Sequence, residues 1–390
     1  MTILFLTPTY KPAYVYGGVT IVTSLLAESL AKAGHDVTVY TTNGNGDSEH
    51  KVKTSKIINV NGVKVIYFKR ISRGHSHLSP GFWFKILFNV RKFDIVHIHS
   101  WWSPTIIIAA AICKLRGIMP VVSPHGMFCE YILNTNNKRK KQFLHYIVGR
   151  SLLRHSFLHV STEMEWKESQ NFLKTEWPGC IIPNLVASKF QNAVSKKNHD
   201  NPFVIGFLSR IDPKKRLDVL ICALSKVQFD FSLQIAGSGD RQYINDLRKL
   251  AHDKGIADKV AWVGWKDNIS KYEFYKSLDL FTLLSHNENF GVVVIESLSV
   301  GTPVLLSKEV GLSRYVNSNG LGWVIEQNDP HSVAWTLEMI YEDSQARANI
   351  QQHASDTIKR DYNSDALAER YIDFYAEITG KPVLTSELYL

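Results

Sequence analysis

The sequence predicts an α/β protein made of two open, parallel, doubly wound sheets. Three observations carry this expectation. Short β-branched runs alternate with amphipathic stretches, the alternation starts afresh near residue 203, and 390 residues exceed what a single hydrophobic core organises. With 45% hydrophobic and 21% charged residues the composition is that of a folded globular chain, which sets disorder aside.

Taken in order, Met1-Thr-Ile-Leu-Phe-Leu-Thr-Pro8 has no basic n-region and only a short apolar run, so residues 3–8 read as a buried strand rather than a signal peptide. A helical pattern spans 19–33, and strands follow at 36–41, 64–68, 95–99 and 121–123. Strand, helix and strand at this spacing argue for parallel pairing. Residues 82–93 read as an aromatic-rich helix facing the core, because amphipathic patterning mostly serves burial. The polar stretch 188–201, running up to Pro202, is the expected linker. Beyond it, 203–208, 231–236, 260–263, 278–284 and 302–306 are apolar runs of the kind that parallel strands buried on both faces require. The expected domains are 1–190 and 200–362, with a closing segment at 363–380 whose stretch 365–378 is amphipathic.

Charge divides along the same line. Residues 1–200 hold 25 Lys and Arg against 11 Asp and Glu, a net +14, whereas the remainder is at −5. A basic first domain suits an anionic partner such as a lipid-linked pyrophosphate, an acidic leaflet or a polyanion. The four cysteines have neither C-x-x-C spacing nor scaffold density, which points to reduced thiols in a cytoplasmic protein and away from zinc. No run reaches the roughly 18 apolar residues of a spanning helix.

The densest chemical signal is Glu288-Asn-Phe-Gly-Val-Val-Val-Ile-Glu296, which follows a predicted strand and leads into a helical pattern at 293–300. A tight Asn289-Phe290-Gly291 turn at a helix start offers unpaired N–H groups and partial positive charge to a pyrophosphate. Acids before the turn and inside the helix then suit sugar and ribose hydroxyls respectively. Ser209-Arg-Ile-Asp-Pro-Lys-Lys-Arg216 follows the first strand of the second sheet, where Arg210 supplies a fork and Lys215 a point charge for phosphate oxygens. Such charges stabilise a departing diphosphate without metal. A basic loop alone is more often a solvated turn, and a lone histidine such as His125 more often structural.

With Ala236-Gly-Ser-Gly239 and Gly301-Thr-Pro-Val304, these residues resemble the donor half of retaining glycosyltransferase family 4, of the GT-B type. The first half is similar as well: Tyr16-Gly-Gly-Val19, Gly34-His-Asp-Val-Thr-Val39, Asp94-Ile-Val-His-Ile-His99, Ser123-Pro-His-Gly-Met127 and Ile181-Ile-Pro-Asn184 occur in the family's order. The resemblance implies two Rossmann-like domains whose parallel sheets face a deep cleft, with the acceptor on the first and the donor on the second. The final helix would pack at or across the junction. Glu288 would contact the transferred sugar beside the N–H groups of Asn289, Phe290 and Gly291, Glu296 would hold the ribose, and Arg210 and Lys215 the diphosphate. Gly237 belongs to the same donor-binding set. Gly17 and Gly18 would close over the phosphates, and His125 would act at the sugar as a catalytic residue. His97 and His99 share one face of a strand and receive no catalytic role.

Three positions depart from the family pattern: Ser209 and Arg216 stand where glycine is usual, and Leu185 follows Asn184 where glycine is common. None removes a charged ligand. No D-x-D pair follows an apolar strand, so no metal and no cofactor beyond a nucleotide-diphosphate sugar are expected, with a uridine diphosphate sugar as default and guanosine donors open. The acceptor is expected to be a saccharide or lipid-linked saccharide in polysaccharide biosynthesis, and nucleic acid is not an expected partner. Lys138, Arg139, Lys140 and Lys141, beside Phe143, Leu144 and Ile147, are the candidates for acceptor or inner-membrane contact, against a solvated helix face. A nucleotide-sugar epimerase or hydrolase of the same architecture is the runner-up, and a non-catalytic binding module the third reading.

Overall fold

Strands buried on both faces need apolar residues at every position, and the longest such runs become the central strands of two sheets. The structure, a computed structural model, describes residues 1–72, 76–134, 138–187, 202–266 and 269–380. It divides into one unit of Met1–Leu185 with the chain from Ser364 onward, and a second of Val186–Asn363. The expected linker at 188–201 lies outside the described residues.

The first unit runs through β1 (Thr2–Leu6), β2 (Asp36–Thr42), a hairpin of β3 (Gly44–Asn45) and β4 (Ser48–Glu49), β5 (Ile57–Val60) and β6 (Val63–Phe68). It continues with β7 (Ile95–His99), β8 (Val121–Ser123), β9 (Phe157–Val160) and β10 (Gly179–Ile181). Apart from the hairpin they form one sheet of order β10-β9-β8-β7-β1-β2-β6-β5. All neighbours are parallel except β5 and β6. Ile3, Leu4, Phe5 and Leu6 of the central β1 are wholly buried. Helix Gly18–Lys32 sets Val22, Leu26 and Leu30, four residues apart, toward β2 and β6. The aromatic-rich helix is Pro80–Asn89, and it buries Phe82 and Ile86 while Phe84 and Phe88 stay exposed, so one stripe serves the core. Helix Ser364–Thr379 returns the chain to this unit and buries Leu367, Tyr371, Phe374 and Tyr375.

The second unit contains β11 (Phe203–Leu208), β12 (Phe231–Ala236), β13 (Val260–Gly264), β14 (Leu280–Leu283), β15 (Val304–Ser307) and β16 (Gly322–Ile325). All are parallel, in the order β13-β12-β11-β14-β15-β16. In both sheets the order reverses beside the first strand, between β1 and β7 and between β11 and β14. Open α/β sheets bind ligands beyond the carboxyl ends of the strands at such a reversal. Among the described residues, no helix is long and apolar enough to cross a membrane.

Candidate functional site

In the second unit the reversal point brings the loops after β11 and β14 together. The loop after β11 is pinned to the loop after β12 by Ser209 N–H on Ala236 O at 3.2 Å and Ile211 N–H on Ser238 O at 2.8 Å. Glycine is required on the other side of that contact: Gly237 has φ +133°, and a Cβ there would sit 1.9 Å from Ser209 O. Asp212 caps the next turn, Pro213–Lys215, by accepting the Lys214 N–H at 3.0 Å, and Arg216 at φ +53° ends it. The two loops then bond directly, His286 N–H to Lys214 O at 2.8 Å. Glu288 is fixed from its far side, donating to Glu309 O at 2.9 Å and accepting from Gly311 N–H at 2.7 Å. Gly291, at φ +87°, turns the chain into helix Val292–Leu298.

These backbone constraints aim three side chains at one place. Lys215 Nζ forms an ion pair with Glu288 Oε2. Burial pushes the Glu288 carboxyl up, but Lys215, Lys214 and Arg210 outweigh it and hold it below its ordinary value. Arg210 is exposed beside this pair. The result is a half-buried carboxylate kept ionised by cations, two of them at the mouth of the sheet. Glu296, 6% exposed, is held on both oxygens: Lys271 Nζ at 2.5 Å from Oε1 and the Tyr275 hydroxyl donating to Oε2 at 3.1 Å.

In the first unit, the loop after β1 leads to Gly17, at φ +76°, and into the helix that begins at Gly18. The loop after β8 carries His125 at φ +52° and Gly126 at φ +76°. Beneath it lies a histidine cluster along the carboxyl ends of β7, β8 and β9. His125 Nε2 is 3.1 Å from His99 Nδ1, His99 stacks on His97, and Ser123 Oγ is 2.6 Å from both His97 Nε2 and His159 Nδ1. Tyr375 and Tyr371 from the final helix close the chain, at 2.6 Å from His97 Nδ1 and 2.9 Å from His159 Nε2. Burial pushes all four histidines down, His125 to about 3 and His159 to about 4, so they are neutral near pH 7.

Comparison with known proteins decides what this arrangement belongs to. The model for "Glycosyltransferase Family 4" matches residues 16–186, and the model for "Glycosyl transferases group 1" matches 189–357. The chain belongs to glycosyltransferase family 4. A glycosyltransferase of Methanocaldococcus jannaschii is 27% identical to this family 4 enzyme, over 96% of this chain and 98% of its own. Sucrose-phosphate synthase from Thermosynechococcus elongatus shares its fold with a TM-score of 0.79 at 18% identity, over 97% of this chain and 100% of that one. The structure of Anabaena HepE in complex with UDP-glucose superposes with a TM-score of 0.70 at 17% identity, over 97% and 99%. The fold is therefore GT-B, with two α/β domains, and the chain is a transferase. These matches do not favour the epimerase reading.

Within this glycosyltransferase, Arg210, Lys215 and Glu288 lie together at the second reversal point. Asn289, Phe290 and Gly291 follow directly, with the Phe290 ring buried 6.1 Å from Tyr362. Gly237 has a packing reason of its own. The basic run divides: Lys138, Arg139 and Lys140 are exposed, while Lys141 donates to Ile132 O at 2.6 Å and lies 5.9 Å from the Trp102 ring centre. Sequence reasoning missed Lys271 and Tyr275 as the holders of Glu296. Their spacing of four on helix Ser270–Lys276 was the available signal. Among the described residues no group of three or more His, Cys, Asp or Glu could hold a metal ion.

Proposed function

We propose that this enzyme transfers a hexose from a uridine diphosphate sugar to a saccharide or lipid-linked saccharide hydroxyl, with retention of configuration. The convergence of Lys215, Arg210 and Glu288 at the β11/β14 reversal carries the reading. A diphosphate seated there would share the Lys215 ammonium with Glu288 and take the Arg210 fork, leaving the carboxylate to accept from sugar hydroxyls. Glu296, already oriented by Lys271 and Tyr275, would accept from the ribose. As bond cleavage loads charge onto the leaving phosphate, Arg210 and Lys215 stabilise it, and that phosphate oxygen takes the acceptor's proton in a front-face attack.

His125 acts on the transferred sugar. Its Nε2 is taken up by His99, so Nδ1 is the atom left to face a hydroxyl. A neutral ring suits this work, since it can hydrogen-bond a sugar hydroxyl without carrying a charge of its own. The UDP-glucose complex of the Anabaena relative supports the donor assignment. Acceptor capture, and peripheral contact with an anionic membrane at its cytoplasmic face, are assigned to Lys138, Arg139 and Lys140, which stand beside exposed Phe143, Tyr146 and Ile147.

One panel tests both halves. Thermal unfolding with a series of nucleotide sugars should show UDP-sugars raising Tm in the native enzyme and equally in a variant with alanine at 138, 139 and 140, while transfer to acceptor falls only in the variant. Absence of any shift with any nucleotide sugar would overturn the donor assignment.

A further inference from the structure

We infer that Glu165 is a positioning residue for His125, an inference that rests on the catalytic part given to His125 above. His125 and Gly126 are consecutive left-handed residues, at φ +52° and +76°. Left-handed backbone is uncommon outside glycine, and two such residues in a row need contacts that hold the loop in that shape. The constraint comes from 39 residues away. The Gly126 N–H donates to Glu165 Oε1 at 2.6 Å, a short charge-assisted bond to a side chain only 2% exposed.

Glu165 is itself locked. Its Oε2 accepts from the Ser161 N–H at 3.0 Å and the Ser161 hydroxyl at 3.1 Å, while its own N–H donates to Thr162 Oγ1 at 3.1 Å. Thr162 and Glu165 thus form the capped start of helix Glu163–Leu173, directly after β9. One carboxylate oxygen thus ties down Ser161, just ahead of the cap. The other reaches the β8 loop, a bond the helix does not need, and burying a carboxylate is costly unless both oxygens are satisfied. With the ring gripped by His99 and the backbone by Glu165, His125 is left one orientation. Without the Gly126 bond the loop can relax to negative φ, carrying the imidazole away from its hydroxyl.

The test is a double-mutant cycle with UDP-glucose as the probe and UDP release as the readout. Glu165→Gln keeps size and shape but offers one acceptor oxygen to two sets of donors. It should lower kcat by about 10²-fold with KM for UDP-glucose unchanged, and add no further loss in a His125→Ala background. A merely structural Glu165 would cost the same factor in both backgrounds, and that result would overturn the inference, as would full turnover in Glu165→Gln. The two readings separate cleanly. If His125→Ala retains full turnover, the role of His125 fails and this inference with it; if His125→Ala is inactive and Glu165→Gln active, only the inference fails. Should Glu165→Gln not fold, Glu165→Asp keeps the charge, draws it back by one methylene and enters the same cycle.

Discussion

At the residue scale, Arg216 shows how a departure from the family pattern is accommodated. The position where glycine is usual has φ +53° and ψ +41°, the left-handed region, so the family's glycine answers a backbone requirement. Arginine meets it at a steric cost of about 1 kcal/mol, offset only by a partly exposed pair with Asp218 at 3.3 Å that contributes a few tenths. Arg216→Gly should therefore raise stability by roughly 0.5 kcal/mol, read from the denaturant midpoint, while donor affinity stays level. A loss of stability would mean that the Asp218 pair outweighs the backbone. Residues of this kind are legible in sequence because they sit beside strand ends. Arg210, Lys215 and Glu288 were found that way, while Lys271 was not, since its partner Glu296 lies 25 residues on and on a different helix. Thr162-x-x-Glu165 announces a helix start, yet nothing local reveals that Glu165 also reaches Gly126.

At the element scale, the final helix and three strands of the first unit meet over neutral histidines. His97, His99, His125 and His159 have folded values below the ordinary one, so between pH 6.5 and about 4 the unfolded chain takes up protons that the native state refuses. Stability is thus fully present above pH 6.5 and falls as pH drops, by up to about 1.4 kcal/mol per pH unit for each histidine. Free carboxylates titrate lower, so the loss between pH 6.5 and 5 belongs to histidines: the cluster, with smaller shares from His35, His50 and His145, which burial also pushes down. Chemical denaturation across that interval should show it, and a flat profile would contradict the assignment of neutral rings. The strands that carry the cluster were mostly visible as apolar runs. The strands missed are short: the two-residue β3 and β4, and β5, β9, β10 and β16 of three or four residues, of which β5, β10 and β16 lie at edges of the two large sheets, where fewer apolar residues are demanded.

At the scale of the whole molecule, sequence periodicity located both sheets because two doubly wound units repeat one building rule. What periodicity does not encode is which loops touch, since that follows from strand order: β11 lies beside β14 although about 70 residues separate them. The central claim is that two cations at this reversal hold a diphosphate. Calorimetric titration of UDP and of uridine into the native enzyme and into an Arg210→Ala/Lys215→Ala variant tests it most directly. The native enzyme should bind UDP at least about 10²-fold more tightly than uridine, from two charge-assisted contacts, and the variant should bind both with similar affinity. A variant that keeps the full preference for UDP would contradict the account.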